Sequence, residues 1–136
     1  MRAVLDVNVL IAALLTPDGA PARIVTAWLE GAFELLVSPE LIDELRRALA
    51  YPKLRQRIAE ADAEQFASML LQDAIVIPDP GEAAPLRSLD PDDDYLIALA
   101  ASAEALLVTG DGHLLELADQ APIHTPAEFA DLLRDR

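Results

Sequence analysis

Cysteine is absent from the chain. That excludes disulfide bridges, iron–sulfur clusters and thiolate zinc sites, and makes a reducing cytoplasm the default expectation. Apolar runs are short, and nowhere do about 18 apolar residues follow one another, so a bilayer-spanning helix is excluded. Residues 1–15 hold one cation and an apolar stretch, but Asp6 and Asn8 interrupt it and no small-residue cleavage site follows. The segment is therefore expected to be a core strand and helix, not a secretory leader. Aromatic residues make up only 4% of the chain, and Lys53 is its single lysine. Basic charge is scarce altogether, with ten Lys and Arg against 24 Asp and Glu, a formal net charge of −14. Such a surface disfavours phosphate backbones. The acids then either hold divalent metal or only keep the protein in solution. The cations are unevenly placed, because Arg46, Arg47, Lys53, Arg55 and Arg57 are half of the total. A local positive patch is compatible with a negative whole.

What remains is an apolar chain of 136 residues, 53% of them hydrophobic, which suits one compact domain over residues 1–136 and is too apolar for a disordered acidic tail. Short apolar runs at Arg2–Leu5, Glu34–Val37, Ala74–Ile77 and Leu106–Val108, with a weaker fifth at Pro122–His124, read as buried strands. Helix-length segments separate them at Pro21–Glu30, Pro39–Ala50, Asp62–Leu71, Pro91–Ala103 and Pro126–Arg134. Strands without a polar face, alternating with helices, predict an α/β fold: a three-layer α/β/α sandwich around a mostly parallel sheet of four to five strands. Ser38-Pro39, Asp90-Pro91 and Thr125-Pro126 each read as an N-cap followed by proline in the first turn. Helices that start this way begin at the carboxyl edge of the sheet, where open α/β sheets bind ligands. The one long irregular connection, Pro78–Leu89, is too short to divide the chain into domains.

Acids gather at that expected edge. Asp6 directly follows the first strand, flanked by apolar residues that leave a carboxylate few routes to solvent. Glu44 borders the helical stripe of Leu41, Leu45 and Ala48, while Asp43 points away. Among Asp92, Asp93 and Asp94, helical geometry aligns Asp93 with Leu96, Ile97 and Ala100, and turns Asp94 toward Ala98 and Ala101. Asp111 follows the fourth strand between two glycines. Singly, each has an ordinary explanation: first-turn acids meet the helix dipole, Glu44 is solvated, Asp111 belongs to a turn. Together, Asp6, Glu44, Asp93 and Asp111 would repel unless a cation joined them. Oxygen-only ligands favour Mg²⁺ or Mn²⁺ over zinc, and carboxylate-held ions of this kind suit phosphodiester hydrolysis.

Asp6-Val7-Asn8, Ser38–Leu45 (SPELIDEL), Asp90–Ala100 (DPDDDYLIALA) and Val108-Thr109-Gly110-Asp111, in that order and spacing, resemble a PIN-domain ribonuclease. More narrowly they resemble the bacterial and archaeal branch that serves as toxins of toxin–antitoxin pairs. The resemblance runs from Asp6 to about Leu115. It implies a PIN-like sheet flanked by helices, a Mg²⁺- or Mn²⁺-dependent endoribonuclease, and an acidic cluster as active site. The family's acids fall on Asp6, Glu44, Asp93 and Asp111, with Asp94 in reserve for the third, and its supporting polar positions fall on Asn8, Ser38 and Thr109. Where relatives often carry a further acid, this chain has His113. The implied mechanism has Asp6, Asp93 and Asp111 binding the ion, Glu44 binding directly or through water, and water attacking a backbone phosphate in line. A small antitoxin and a homodimeric partner are implied too.

Arg46, Arg47, Lys53, Arg55 and Arg57 are candidates for RNA binding, against the plainer reading of a solvated helix face. Trp28, Tyr51 and Tyr95 are candidates for base stacking, against plain packing. The helix surfaces at Ala22–Leu29 and Phe66–Leu71 could form the dimer or belong to the core. Three alternatives compete: an aspartyl-phosphate enzyme, for which Asn8 stands where a second acid is wanted; a receiver-type signalling module, which wants adjacent acids and a later lysine; and a PIN-like binding domain without turnover.

Overall fold

The computed structural model describes residues 1–81 and 94–135. Five strands form one sheet: β1 (Arg2–Leu5), β2 (Glu34–Val37), β3 (Ile75–Val76), β4 (Leu106–Val108) and β5 (Ile123–His124). All pairings are parallel, in the order β3-β2-β1-β4-β5. Parallel strands need crossovers, and helices supply them: α1 (Val7–Leu15), α2 (Ala20–Leu29), α3 (Pro39–Leu49), α4 (Pro52–Arg55), α5 (Glu60–Asp73), α6 (Asp94–Ser102), α7 (Gly112–Leu115) and α8 (Pro126–Arg134). The result is a three-layer α/β/α sandwich with a wholly parallel sheet. The expected start of α6 at Pro91 lies outside the described residues. The short helices α4 and α7 carry no apolar period of their own, which is why the sequence did not announce them.

Helix starts follow the side chains expected to cap them. Ser38 accepts the Leu41 amide at the start of α3, and Thr125 with Glu128 forms a reciprocal capping box at the start of α8. The central strands are buried on both faces, with Ala3, Val4, Leu5, Leu36, Val37 and Val108 fully enclosed. Helix α6 lies against β1 and β4, α2 packs on α1 and α8, and α3 packs on α1 and α5. Phe33 and Phe129 meet edge to face at 5.0 Å. Most of the apolar surface of α2 and α5 that was open between dimer and core is core: Ile24, Val25 and Trp28, and Phe66, Ala67 and Leu70, are buried within the single chain, while Leu29 and Leu71 stay exposed.

Strand order places a topological switch between β1 and β4. The chain moves outward from β1 through β2 to β3, then returns to the other side for β4 and β5. Splayed crossovers at such a point leave a crevice at the carboxyl ends of the two strands. A receiver-type module would show the order 2-1-3-4-5. The observed order removes that alternative.

One backbone position departs from what its residue prefers. Helix α6 ends in a Schellman motif, in which the Ala105 amide reaches the Ala100 carbonyl at 2.9 Å and the Glu104 amide reaches Ala101 at 3.1 Å. Glu104 therefore holds the left-handed position, at φ 52°, which glycine adopts at no steric cost. Replacing it, Glu104→Gly, is expected to stabilise the fold by about 1 kcal/mol and raise the melting temperature by a few degrees. A thermal melt showing a loss of stability would contradict this account of the turn.

Candidate active site

Among the described residues, three polar side chains are buried: Asp6, Ser38 and Thr109. Each is the first residue after a central strand. Asp6 follows β1, Ser38 follows β2 and Thr109 follows β4, so the three share the carboxyl edge of the sheet, with Asp6 and Thr109 on the strands that flank the switch. Burial of polar groups is costly unless they are bonded. Here the cost falls at one place.

Asp6 caps α1 while leaving β1. Its amide donates to the Val108 carbonyl at 2.9 Å, and its carboxylate accepts the Asn8 amide at Oδ1, 3.3 Å, and the Thr109 hydroxyl at Oδ2, 2.7 Å. Thr109 in turn accepts the Asp111 amide at 3.0 Å. Asp111 caps α7, accepting the His113 amide at 2.8 Å. The threonine hydroxyl thus ties the two acids into one unit. Burial pushes the Asp6 carboxyl above its ordinary value; the Thr109 and Asn8 hydrogen bonds pull it back, and the charge of Asp111 adds to the rise. Among the described residues no cation pairs with Asp6.

A second hydrogen-bonded group lies at the start of α3. Ser38 is hydrogen-bonded to the Tyr95 hydroxyl, which donates to Asp79 Oδ1 at 2.8 Å. Asp79 also accepts the Glu40 amide at 3.3 Å. The carboxylate joins the segment after β3 to α3 and to the first turn of α6. Burial works to raise the Asp79 carboxyl, but its bonds from Ser38, Tyr95 and Glu40 outweigh this and hold it below the usual range. Burial, and then the charge of Asp79, push the Tyr95 phenol well above its ordinary value. Sequence reasoning passed over Asp79, because an acid in the irregular run Pro78-Asp79-Pro80-Gly81 carries no periodic signal.

The remaining candidates are placed as follows. Glu44 is exposed on α3, Asp94 is half-buried as the first residue of α6, and Asn8 is exposed in the first turn of α1. Asp93 lies outside the described residues. Among the described residues, no three acidic or histidine side chains converge closely enough to hold a metal ion. The pair formed by Asp6 and Asp111 is what they contribute. Its chemistry fits a hard divalent cation: oxygen donors, one of them buried and without a counter-charge. His113 is exposed, its Nδ1 3.8 Å from Asp111 Oδ1. Of the five clustered cations, Arg46 is bound to Glu64 at 2.8 Å and Arg55 to Glu60 at 3.0 Å.

Thr109 is the residue on which this geometry turns. Thr109→Val keeps its shape but leaves a carboxylate oxygen and an amide without partners, and is expected to destabilise the protein by about 1–3 kcal/mol in denaturant unfolding. Thr109→Ser keeps the hydroxyl and should remain within about 1 kcal/mol of the parent. Equal losses in the two variants would show that the methyl group, not the hydroxyl, matters.

Comparison with known proteins finds relatives of this chain and of its fold. The chain is 27% identical over 141 residues to an uncharacterised protein of Methanocaldococcus jannaschii, covering 96% of this chain and 90% of that one. Its fold is similar to that of PAE2754 from Pyrobaculum aerophilum, with a TM-score of 0.70 at 21% identity over 100% of this chain and 91% of that chain. It is also similar to VapBC2 from Rickettsia felis, solved bound to a DNA fragment from its promoter, with a TM-score of 0.62 at 14% identity over 92% and 98% of the two chains. The family model for the PIN domain matches residues 2–113, most of the chain, every strand but β5 and all three buried polar residues, and the protein belongs to the PIN-domain family.

Proposed function

We propose that this protein is a metal-dependent endoribonuclease, the toxin of a toxin–antitoxin pair, acting on RNA in the cytoplasm. The observation that carries the proposal is Asp6: a buried carboxylate at the sheet's switch point, raised in pKa by burial and by Asp111, with no cationic partner among the described residues. A structural acid in that position is expected to have a counter-charge. A site awaiting a divalent ion is expected to lack one.

In this reading Asp6 and Asp111 hold Mg²⁺ or Mn²⁺, with Glu44 and Asp93, or Asp94 in reserve, completing the acidic set. Bound there, the ion supplies a lowered pKa for water and neutralises charge developing on a phosphodiester. Thr109 aims Asp6 and Asp111 by occupying one oxygen of the first and the amide of the second. Ser38 and Asn8 support the edge, Ser38 as the cap of α3 and Asn8 through its amide. The antitoxin would present cationic side chains to this acidic edge. A homodimer would use surface outside the α2 and α5 faces that the core already occupies.

Sign and size can both be checked. The folded state binds the Asp6 proton more tightly than the unfolded chain does, so in metal-free protein stability falls as pH rises from the ordinary carboxylate range through the raised value, and stays lower above it. Asp6→Asn is therefore expected to raise the melting temperature of metal-free protein at neutral pH. Mn²⁺ should then stabilise the parent, by about 2.7 kcal/mol at a hundredfold excess over its dissociation constant, and leave the variant unmoved. With single-stranded RNA, Mn²⁺-dependent cleavage that EDTA abolishes is expected to fall at least about 100-fold in Asp6→Asn and Asp93→Asn, with single-stranded DNA as the substrate control. Cleavage indifferent to EDTA, or to both substitutions, would refute the assignment.

A further inference from the structure

The chain's few aromatic and basic residues are not equivalent in the fold, and their differences point to one place. Trp28 is 7% exposed and belongs to the core. The Tyr95 hydroxyl is committed to Ser38 and Asp79. Tyr51, by contrast, is 68% exposed, at the corner where α3 ends and α4 begins. The five clustered cations divide the same way. Arg46 is held by Glu64 and Arg55 by Glu60, with the Arg55 Nε shut away from solvent and without an acceptor. Both are spent on fastening α3 and α4 to α5. Arg47, Lys53 and Arg57 are exposed, and among the described residues none forms an ion pair.

This corner is ordered. The Leu54 and Arg55 amides return to the Tyr51 carbonyl at 3.0 and 2.9 Å, the Arg57 and Ile58 amides return to Leu54 at 2.9 and 2.8 Å, and Ile58 is buried beneath. Three uncommitted cations and one uncovered ring are thus fixed within eleven consecutive positions of a chain whose net charge is −14. Helical rise places Arg47 about 5 Å along α3 from Glu44, and Tyr51 lies two residues past the last residue of the helix, Leu49. An aromatic ring flanked by cations is the arrangement that binds unpaired nucleotides, the ring stacking on a base while the charges meet phosphates.

We infer that Tyr51, Arg47, Lys53 and Arg57 form a contact for single-stranded RNA that extends from the acidic edge along α3. The inference rests on the nuclease reading for the direction in which the strand leaves the site. Arg46 and Arg55 are not part of the contact, although they lie in the same stretch of sequence.

Fluorescence anisotropy with a labelled unstructured RNA, in the Asp6→Asn background to prevent turnover, tests it across 50–200 mM salt. Tyr51→Ala is expected to weaken binding about tenfold, and Tyr51→Phe to restore it, because stacking needs the ring and not the hydroxyl. Arg47→Ala, Lys53→Ala and Arg57→Ala should each lower the slope of log K against log salt by about 0.7. Arg46→Ala should lower the melting temperature and leave that slope unchanged. Binding by Tyr51→Ala equal to the parent, or a slope unmoved by losing all three cations, overturns the inference and leaves the corner to an acidic protein partner. Cleavage by otherwise unaltered protein decides the nuclease reading separately. If cleavage is absent while the slopes fall as expected, the RNA contact stands and the catalytic assignment fails; if cleavage is normal while the slopes do not move, the reverse holds.

Discussion

A carboxylate buried at the end of β1 is the constraint around which the rest of this structure is organised. Asp6 cannot leave the carboxyl edge, because Val4 and Leu5 before it are locked in the sheet and Val7, Val9 and Leu10 after it are locked in α1. Two hydrogen bonds reduce the cost of keeping it there, and a neighbouring acid increases that cost. A fold selected for stability alone would place a neutral residue at this position. Retaining the acid is understandable where charge at that edge does chemistry, since sites of this kind trade stability for function.

Under the proposed reading, electrostatics has to answer two demands on one small molecule. The acidic edge favours a divalent ion, whereas an RNA strand needs positive charge within reach. Separating the two along α3 meets both demands. The helix begins at Ser38 beside the acids and ends at a corner bearing Arg47, Tyr51, Lys53 and Arg57. Net charge is a poor guide to such a protein, because a phosphate chain senses the local field within a Debye length or so, not the sum.

Much of the architecture was legible in the residues, and the reasons are local. Apolar runs without a polar face marked β1, β2 and β4, and Ser38 and Thr125 announced α3 and α8 because a cap acts on amides two or three positions away. Elements held by few residues were less legible: α4 and α7 are single turns, and β5, two residues long, had only the weaker run at Pro122–His124, whereas the run Ala74–Ile77 did mark β3, an edge pair of exposed residues. In the candidate site, Asp6 was recognisable because it directly follows a strand, and Asp111 because it lies between two glycines shortly after one. Asp79 was not, because its partners Ser38 and Tyr95 come from elements distant in the chain.

The residues alone settled the composition of the problem: an α/β chain with scarce cations, no thiols and acids at strand ends, since strand and helix patterns and caps are short-range properties. Tertiary structure decided which of those groups act together. It closed most of the apolar surface of α2 and α5 into the core, spent Arg46 and Arg55 on Glu64 and Glu60 while leaving Tyr51 uncovered, and made Thr109 the link between two acids 105 positions apart in the chain. Partnerships of that kind depend on how strands are ordered and how helices lie upon them, and the strand order β3-β2-β1-β4-β5 is set by the packing of the whole sheet, not by any segment within it.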